Sequence, residues 1–246
     1  MAYDLRVLLL RERGAFRASN DAIAQMIADS SRFSTGAVLL RGSNLARIGN
    51  YAAAIRTYEH SIHGTPPLAV PFPLPARMAR GFCWHHALLA DAIAPAGDTV
   101  QLRVIADSLA VGCAQSYYGR DRILHHHVRG LIAMQGKRWA EAERELRQAR
   151  WGVAEAWTRT NAALAKVQLE LGRPNDALTT LRDGYASPLN AMGRYQPRSE
   201  LDYLSVLAFR QAGMRDSATV YEAHVRHAWR DADPEVKQLL ATLGSR

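Results

Sequence analysis

Three consecutive histidines, His125, His126 and His127, bring together side chains that could bind a metal ion. Imidazole nitrogens are common ligands of zinc and other transition metals. Consecutive residues of a helix, however, point about 100° apart, so one ion cannot reach all three side chains from a regular helix. The His-Glu-x-x-His spacing, which places two ligands on one helix face, is absent. The sequence therefore predicts no metal site and no cofactor.

Cysteine and histidine also occur together at Cys83, His85 and His86, and Cys113 is the other cysteine of the chain. Structural zinc usually draws on a closely spaced pair of cysteines or of histidines, and neither spacing is found here. Packing in the core is therefore the preferred interpretation. Two alternatives stay open for the cysteines: buried reduced thiols, the ordinary case, or a Cys83–Cys113 bridge if the chain is exported.

The motifs of common catalytic sites are absent. There is no Gly-x-Ser-x-Gly elbow, no phosphate-binding loop that ends in Gly-Lys-Ser/Thr, and no Gly-x-Gly-x-x-Gly fingerprint. The carboxylates at 141, 143 and 145 alternate with arginines, as on a solvated helix face. Asp231 and Asp233 precede Pro234 at a predicted helix start, where carboxylates cap the helix and favour its dipole. The sequence predicts that the protein is not an enzyme and has no catalytic residues.

Basic residues outnumber acidic ones by 31 to 23, which gives a formal net charge of +8. Arginines are concentrated in residues 120–150, with Tyr117, Tyr118 and Trp139 close by, and a basic groove with aromatic residues suits single-stranded nucleic acid. Acidic residues are interleaved, however, and the two helices of a hairpin face different ways, so one continuous basic stripe is not expected. Nucleic-acid binding through the arginine-rich surface is kept as the alternative function.

The elements that carry these residues are predicted to be helices. Apolar residues recur at helical spacing, strand signals are scarce, and 41 alanines favour helix. Glycines separate the helical segments, and each is expected to take the left-handed conformation that ends a helix: Gly14, Gly49, Gly97, Gly136, Gly172 and Gly213. This is the arrangement of stacked helix–turn–helix units.

The clearest unit covers residues 36–66. Gly42 in its first helix can let the second helix approach, and Ala54 in the second helix packs back at the crossing. Tyr51 and Tyr58 supply the aromatic side chains that fill the gap between the helices. In these positions the unit closely resembles a tetratricopeptide repeat (TPR).

The TPR resemblance implies an all-α fold, a right-handed α-solenoid of about six helix hairpins with a C-terminal capping helix. We predict one domain, residues 2–246, with units at roughly 2–30, 36–63, 76–116, 120–150, 155–185 and 199–229 and a cap at 234–243. The arginine- and alanine-rich composition is similar to that of TPR arrays appended to bacterial multidomain proteins. The chain is accordingly interpreted as a region of a larger bacterial protein.

In the TPR family the first helices line a concave groove that binds ligands. The repeat pattern predicts that seven residues face this groove: Arg47, Trp84, His127, Arg159, Lys166, Tyr203 and Arg210. Such a mixed basic and aromatic set suits a peptide with acidic groups. The predicted function is a non-catalytic scaffold that binds a protein or peptide partner in its groove.

Two proline-containing loops, residues 64–75 and 186–197, interrupt the repeats and are interpreted as tolerated insertions or as partner contacts. No secretory signal and no membrane span is expected, and a cytoplasmic location is the default. Because the sequence begins inside a predicted helix, it is also read as a fragment that lacks its targeting signal. The oligomeric state stays open.

Overall fold

A computed structural model describes residues 5–29, 34–61, 74–150, 158–186 and 196–244 of the chain. Within these ranges the chain forms thirteen α-helices, and no strand occurs in them. The helices are α1 Leu5–Glu12, α2 Phe16–Asp29, α3 Ser34–Arg47, α4 Tyr51–Ser61, α5 Ala76–Ile93, α6 Thr99–Gly112, α7 Leu124–Gln135, α8 Trp139–Gln148, α9 Thr158–Glu170, α10 Pro174–Tyr185, α11 Arg198–Gln211, α12 Arg215–Ala228 and α13 Pro234–Gly244. Short 3-10 turns at Ala94–Ala96 and Gly119–Ile123 precede α6 and α7.

Successive helices pack against each other along the chain, which is the contact order of stacked hairpins. The first helices of successive hairpins also touch, so that α3, α5, α7, α9 and α11 follow one another along one side. They form the concave face, while the even-numbered helices lie outside them. The fold is therefore an α-solenoid, as the sequence predicted. The division into one domain of six units and a cap stays a prediction.

Most turns inside a hairpin use the predicted glycine. At Gly49 φ is 74°, and the N–H of Asn50 reaches back to the carbonyl of Leu45 at 2.9 Å, which satisfies a carbonyl at the end of α3. One prediction was wrong: Gly136 has φ −82°, and the left-handed residue between α7 and α8 is Lys137, with φ 52°. Here α7 runs one residue further, and the equivalent hydrogen bond joins Arg138 N–H to the Ala133 carbonyl at 2.9 Å.

Small residues on the first helices admit large side chains from the second helices, as the repeat pattern predicted. A Cβ atom on Gly42 would lie 2.7 Å from the ring of Tyr58, which is fully buried. A Cβ atom on Gly130 would lie 2.6 Å from Cγ of Leu146. These glycines are needed because the neighbouring helix occupies the space of their side chains. The close approach buries the apolar faces of α3–α4 and α7–α8.

The two cysteines form a disulfide. Cys83 in α5 and Cys113 at the end of α6 have Cα atoms 5.8 Å apart, and both side chains are fully buried. Of the alternatives that the sequence left open, the structure has the bridged one. The bond joins the two helices of the third hairpin, inside the largest apolar cluster, which also holds Phe82, Leu102 and Leu109.

The first helices of the chain meet the last ones, in a contact that we call the seam. The carboxylate of Glu12 accepts hydrogen bonds from the N–H groups of Arg198 and Ser199, at 3.0 and 3.1 Å, and so caps α11. A Cβ atom on Gly14 would lie 2.9 Å from Cγ1 of Val236 in α13. Phe16 joins Trp229 in one apolar cluster. The repeat pattern did not predict this contact.

Ion pairs complete the seam at the surface. The guanidinium of Arg17 binds both carboxylate oxygens of Glu235, at 2.8 and 2.7 Å. The backbone N–H of Arg17 donates to the Asp233 carboxylate, and the N–H of Asp233 donates to the Gly14 carbonyl, both at 3.0 Å. The seam thus brings α1 and α2 into contact with α11–α13.

Residues 62–73 and 187–195 lie outside the described residues. They make up most of the two proline-containing loops, whose roles therefore stay predictions. Among the helices that the structure describes, none combines the length and the apolar character that a bilayer crossing requires.

Candidate functional site: a pocket on the concave face

A cavity of about 330 Å³ lies on the concave side of the array. All five first helices from α3 to α11 contribute to its wall. One part of the wall is polar and charged, with Ser43, Arg47, Asp91, His127, Arg159, Lys166, Gln196 and Glu200. The other part is mostly apolar, with Ala92, Ala94, Pro95, Leu131, Met134, Ala162 and Ala163. The cavity thus offers charged groups beside an apolar surface, a combination typical of binding sites for organic ligands.

Asp91 links three first helices on one side of the cavity. Its carboxylate accepts hydrogen bonds from Arg159 of α9 at 2.5 Å and from Nε2 of His127 in α7 at 2.9 Å. The tautomer that satisfies both contacts of His127 has a proton on Nε2, so Nδ1 accepts from the Thr160 hydroxyl at 3.0 Å. Burial alone would raise the pKa of Asp91, but Arg159 and His127 lower it to about 2. The carboxylate is therefore ionised at neutral pH.

Arg47 closes the opposite side of the cavity. Its guanidinium binds both oxygens of Glu200, at 2.5 and 3.2 Å, and so connects α3 with α11. Gln196 donates a further hydrogen bond to Glu200. The paired groups are less than one quarter exposed, with side-chain exposures of 15% and 21%. A bidentate pair of this kind fixes the distance between the two helices at this side of the cavity.

Arg11 lies behind the pocket wall and is fully buried. Its guanidinium donates to the side-chain oxygen of Asn44 and contacts the Ser43 hydroxyl at 3.4 Å. Burial, together with the positive charge of Arg47, lowers the pKa of Arg11 to about 9. The arginine is protonated at neutral pH and adds positive potential to the region of the pocket near α3.

Lys166 differs from the other cations of the pocket. It lies on the face of α9 that also carries Arg159, Ala162 and Ala163, at spacings of three, four and seven residues. None of the described residues gives its ammonium group a hydrogen bond or an ion pair. Lys166 is exposed on the concave side. Desolvation by the surrounding protein atoms lowers the pKa of Lys166, and the carboxylates of Glu200 and Asp91 act in the opposite direction. Lys166 also lines two neighbouring cavities, of about 470 and 800 Å³.

The structure brings six of the seven predicted groove residues to cavities of the concave side. Arg47, His127, Arg159 and Lys166 line the pocket itself, although the His127 side chain is almost wholly covered. Tyr203 lines the second cavity beside Arg47 and Lys166, and its ring lies 5.6 Å from that of Trp229. Arg210 lines the third cavity and pairs with Glu222 at 2.5 Å. Whether these residues bind a partner stays a prediction.

The repeat pattern predicted that Trp84 faces the groove, but Trp84 does not line the pocket. Its ring lies between the guanidinium groups of Arg80 and Arg120, 4.8 and 4.7 Å from the ring centre, and it is 9% exposed. The indole N–H donates to the buried carboxylate of Asp121 at 3.2 Å. The 3-10 turn before α7 brings Arg120 and Asp121 to this position. Trp84 lies seven residues before Asp91, on the same face of α5, but the two residues of the turn cover its ring and keep it out of the pocket.

Sequence reasoning missed the acidic partners of the pocket, Asp91 and Glu200. A signal for Asp91 was available, because it is the single acidic residue of α5, a helix whose residues 82–90 are all buried. A carboxylate on such a helix needs a cationic partner. Glu200 gave no comparable signal, since acidic residues are common in the first turn of a helix.

The three consecutive histidines point in separate directions, as helical geometry requires. His126 contacts the Glu145 carboxylate at 2.9 Å, and His127 contacts Asp91. Within the described residues, no group of three His, Cys, Asp or Glu side chains has an arrangement that could hold a metal ion.

The arginines of residues 120–150 are mostly engaged with acidic groups. Arg129 pairs with Asp107, Arg138 with Glu141, Arg147 with Glu143, and Arg150 with Asp183. Arg120 is buried beside Trp84. Pairing of this kind neutralises the positive potential that a nucleic-acid surface needs. The structure therefore offers no specific support for the alternative function.

Comparison with known proteins identifies the fold. No family model and no curated protein sequence matches this chain. The chain is similar to one in the crystal structure of the APC/C hetero-tetramer Cut9-Hcn1, with a TM-score of 0.51 and 13% identity over 93% of its length. This chain spans 40% of the length of that one. At such low identity the likeness shows the fold alone, which is a TPR-like helical repeat, as the sequence predicted.

Proposed function

We propose that this protein is a non-catalytic interaction module that binds a protein or peptide partner on the concave face of its TPR-like array. The observation that carries the proposal is the pocket, because all five first helices from α3 to α11 contribute to it. The adjoining cavity of about 470 Å³ extends the binding surface with Phe16, Tyr203, Leu204, Leu207 and Trp229. Aromatic and apolar side chains beside a few charged groups are typical of sites that bind protein segments.

The charge of the pocket favours a partner that carries acidic groups. Arg47, Arg159 and Lys166 bring three positive charges to its wall, and Asp91 and Glu200 bring two negative ones. Arg11 lies immediately behind the wall and adds to the excess. A concave site with an unbalanced positive charge attracts anionic groups more strongly than a flat surface, since its walls focus the electric field.

Site-specific photo-crosslinking tests this proposal. A benzoylphenylalanine replaces Tyr51, which lines both the pocket and the adjoining cavity. The control carries the same group in place of Tyr221, in a cavity formed by α10, α11 and α12 on the other side of the array. Each variant is irradiated in lysate of the source organism, with and without nuclease and at two salt concentrations. Crosslinked products are identified by mass spectrometry.

We expect the Tyr51 variant to capture a defined polypeptide that survives nuclease treatment and that the Tyr221 variant does not capture. Purified partner should then compete for the crosslink. Capture from position 221 alone would contradict the concave site. Products that disappear after nuclease treatment or at the higher salt would instead favour the nucleic-acid alternative, since phosphate contacts are strongly salt-dependent.

The location in the cell and the parent protein are part of the same proposal. The predicted cytoplasmic default conflicts with the Cys83–Cys113 disulfide, because such bonds persist mainly in oxidising compartments. Both cysteines are buried, so thiol labelling of protein from the source cells, in denaturant and before any reduction, decides between the two. Labelling of both cysteines supports the cytoplasm, and protection of both supports export. Association with a larger bacterial protein remains a hypothesis drawn from composition.

A further inference from the structure

Lys166 has the property expected of a ligand-binding group. The two arginines that line the pocket are bound to carboxylates, Arg47 to Glu200 and Arg159 to Asp91. The ammonium of Lys166 has no such partner among the described residues, and the residue is exposed on the wall of the same pocket. Because no ion pair within the protein has to be broken first, Lys166 can make a charge-assisted hydrogen bond to a bound anion.

The residues around Lys166 define the shape of the anion. Ala162 and Ala163 separate Lys166 from Arg159 on the same face of α9, and their small side chains leave room above the helix. Leu131 and Met134 of α7 form the adjoining apolar wall. A ligand in this position therefore meets a cation that has no ion pair at one end, and apolar side chains along its length.

The available charge favours a carboxylate over a phosphate group. A phosphate monoester carries between one and two negative charges and three strong acceptors, which are usually bound by several free arginine or lysine donors. Here Arg47 and Arg159 already donate to Glu200 and Asp91, so Lys166 is left to balance one negative charge.

We propose that Lys166 binds a carboxylate group attached to an apolar chain, and that the chain lies along Ala162, Ala163, Leu131 and Met134. The carboxylate can belong to an acidic protein segment or to a free aliphatic acid, since both have the same chemistry at this position. The inference rests on the proposed function in the case of a protein segment. It does not depend on that function in the case of a free acid.

The lysine content of the chain makes a direct test feasible. Lys137, Lys166 and Lys237 are its three lysines, and reductive ¹³C-methylation gives each a separate signal while preserving its charge. Lysine-to-arginine variants assign the signals. Lys137 and Lys237 are exposed and serve as internal controls. The folded protein is titrated with hexanoate and, as a neutral match, with hexanamide. Two blocked pentapeptides with a central Glu or Gln form the peptide arm.

We expect a saturable shift of the Lys166 signal with hexanoate, with the Glu peptide or with both, and none with hexanamide or the Gln peptide. A response to the Glu peptide alone identifies a protein segment as the source, and a response to hexanoate alone identifies a free acid. In calorimetric titrations, which need no lysine signal, Lys166→Met should weaken binding by about tenfold or more, as expected for the loss of a charge-assisted contact, and Lys166→Arg should retain part of it. Unchanged melting shows that both variants are folded.

Equal small shifts of all three lysine signals would overturn this inference, since they would indicate general ion association. Crosslinking of a partner at position 51 would in that case still support the proposed function. Conversely, a specific Lys166 response to hexanoate without any partner captured at position 51 would remove the proposed function and keep the carboxylate site.

Discussion

Within the stack of hairpins, a small residue on one helix admits a large one from the next, whereas the seam joins distant parts of the chain through a helix cap, ion pairs and a few apolar contacts. Gly42 and Tyr58 represent the first kind of contact, and Glu12, Arg17 and Glu235 the second. Packing in the stack is buried and follows from neighbouring sequence. The seam is partly exposed and depends on the combined rotation of all the units. Substitutions in the stack should therefore cost more stability than substitutions in the seam.

The largest effect is expected in the stack. Ala142 is fully buried in α8, so Ala142→Glu places a charge without a partner in the core and should lower the free energy of unfolding by roughly 4 kcal/mol. Gly42→Leu should have a similar effect, because Tyr58 occupies the space of the new side chain. Urea unfolding measures both. Ala140→Glu, at an exposed position of α8, is the matched control, and an equal loss there would refute the helix register.

Loss of the disulfide should have the next largest effect on the free energy of unfolding. Its cysteines are 30 residues apart in sequence. Closing a loop of this length in the unfolded chain accounts for about 3 to 4 kcal/mol of stability in the chain-entropy treatment. The Cys83→Ala, Cys113→Ala double variant should lose that amount when compared with the oxidised protein in urea. Wild-type protein kept in reductant should approach the variant. Identical unfolding of oxidised and reduced protein would show that the bond does not form.

The seam can be tested with two glycines that share one backbone conformation. Gly14 and Gly49 have φ values of 66° and 74°, so alanine is strained by a similar amount at either position. A Cβ atom on Gly14 would also press against Val236, whereas one on Gly49 meets nothing within 4 Å. Gly14→Ala should therefore lower the free energy of unfolding by about 1 kcal/mol more than Gly49→Ala. Equal losses would mean that α13 does not pack there in solution.

The smallest effect concerns the exposed ion pair of the seam. The hydrogen bonds from Arg17 lower the pKa of Glu235 to about 2 in the folded protein, against about 4.3 when unfolded. A lowered folded-state pKa gives stability that is present above the unfolded value and is lost as the pH falls towards the folded one. Because the pair is exposed, it should contribute less than about 1 kcal/mol.

A comparison of the wild type with Arg17→Ala at two pH values isolates this contribution. The stability difference should be present at pH 6 and should shrink towards pH 2.5. The Asp91 pair titrates over a similar range in both proteins, so it cancels from the difference. A difference that does not change with pH would contradict the ion pair, and high salt should reduce it at pH 6.

The parts of the fold that the sequence predicted are those that adjacent residues determine. Gly42, Gly49 and Tyr58 lie within one unit, and their spacing specifies both the helix crossing and the turn. Lys137 shows the limit of this reasoning, because a shift of one residue at the end of α7 moves the left-handed position from a glycine to a lysine. Nothing in the composition of the turn distinguishes the two cases.

The candidate site was predicted less completely, for a physical reason. The spacing of first-helix residues indicated that Arg47, His127, Arg159 and Lys166 face the same side. It did not indicate that Glu200, 153 residues away in sequence, would bind Arg47. That contact depends on the rotation of each hairpin relative to the one before it. Small rotations add up between α3 and α11, and the repeat spacing does not specify their sum. Trp84 lies outside the pocket because the 3-10 turn before α7 brings Arg120 and Asp121 against its ring, a contact that the repeat spacing does not indicate.

The seam has a consequence for how many hairpins can lie between Glu12 and Val236. An open solenoid grows or shrinks by whole repeats, because each repeat touches only its neighbours. Here Glu12 and Gly14 must reach Arg198 and Val236, and one extra hairpin would carry these groups out of reach. The chain is therefore expected to tolerate neither duplication nor deletion of a hairpin. Its terminal helices should also exchange their amide hydrogens as slowly as the central ones, since the seam protects them from fraying.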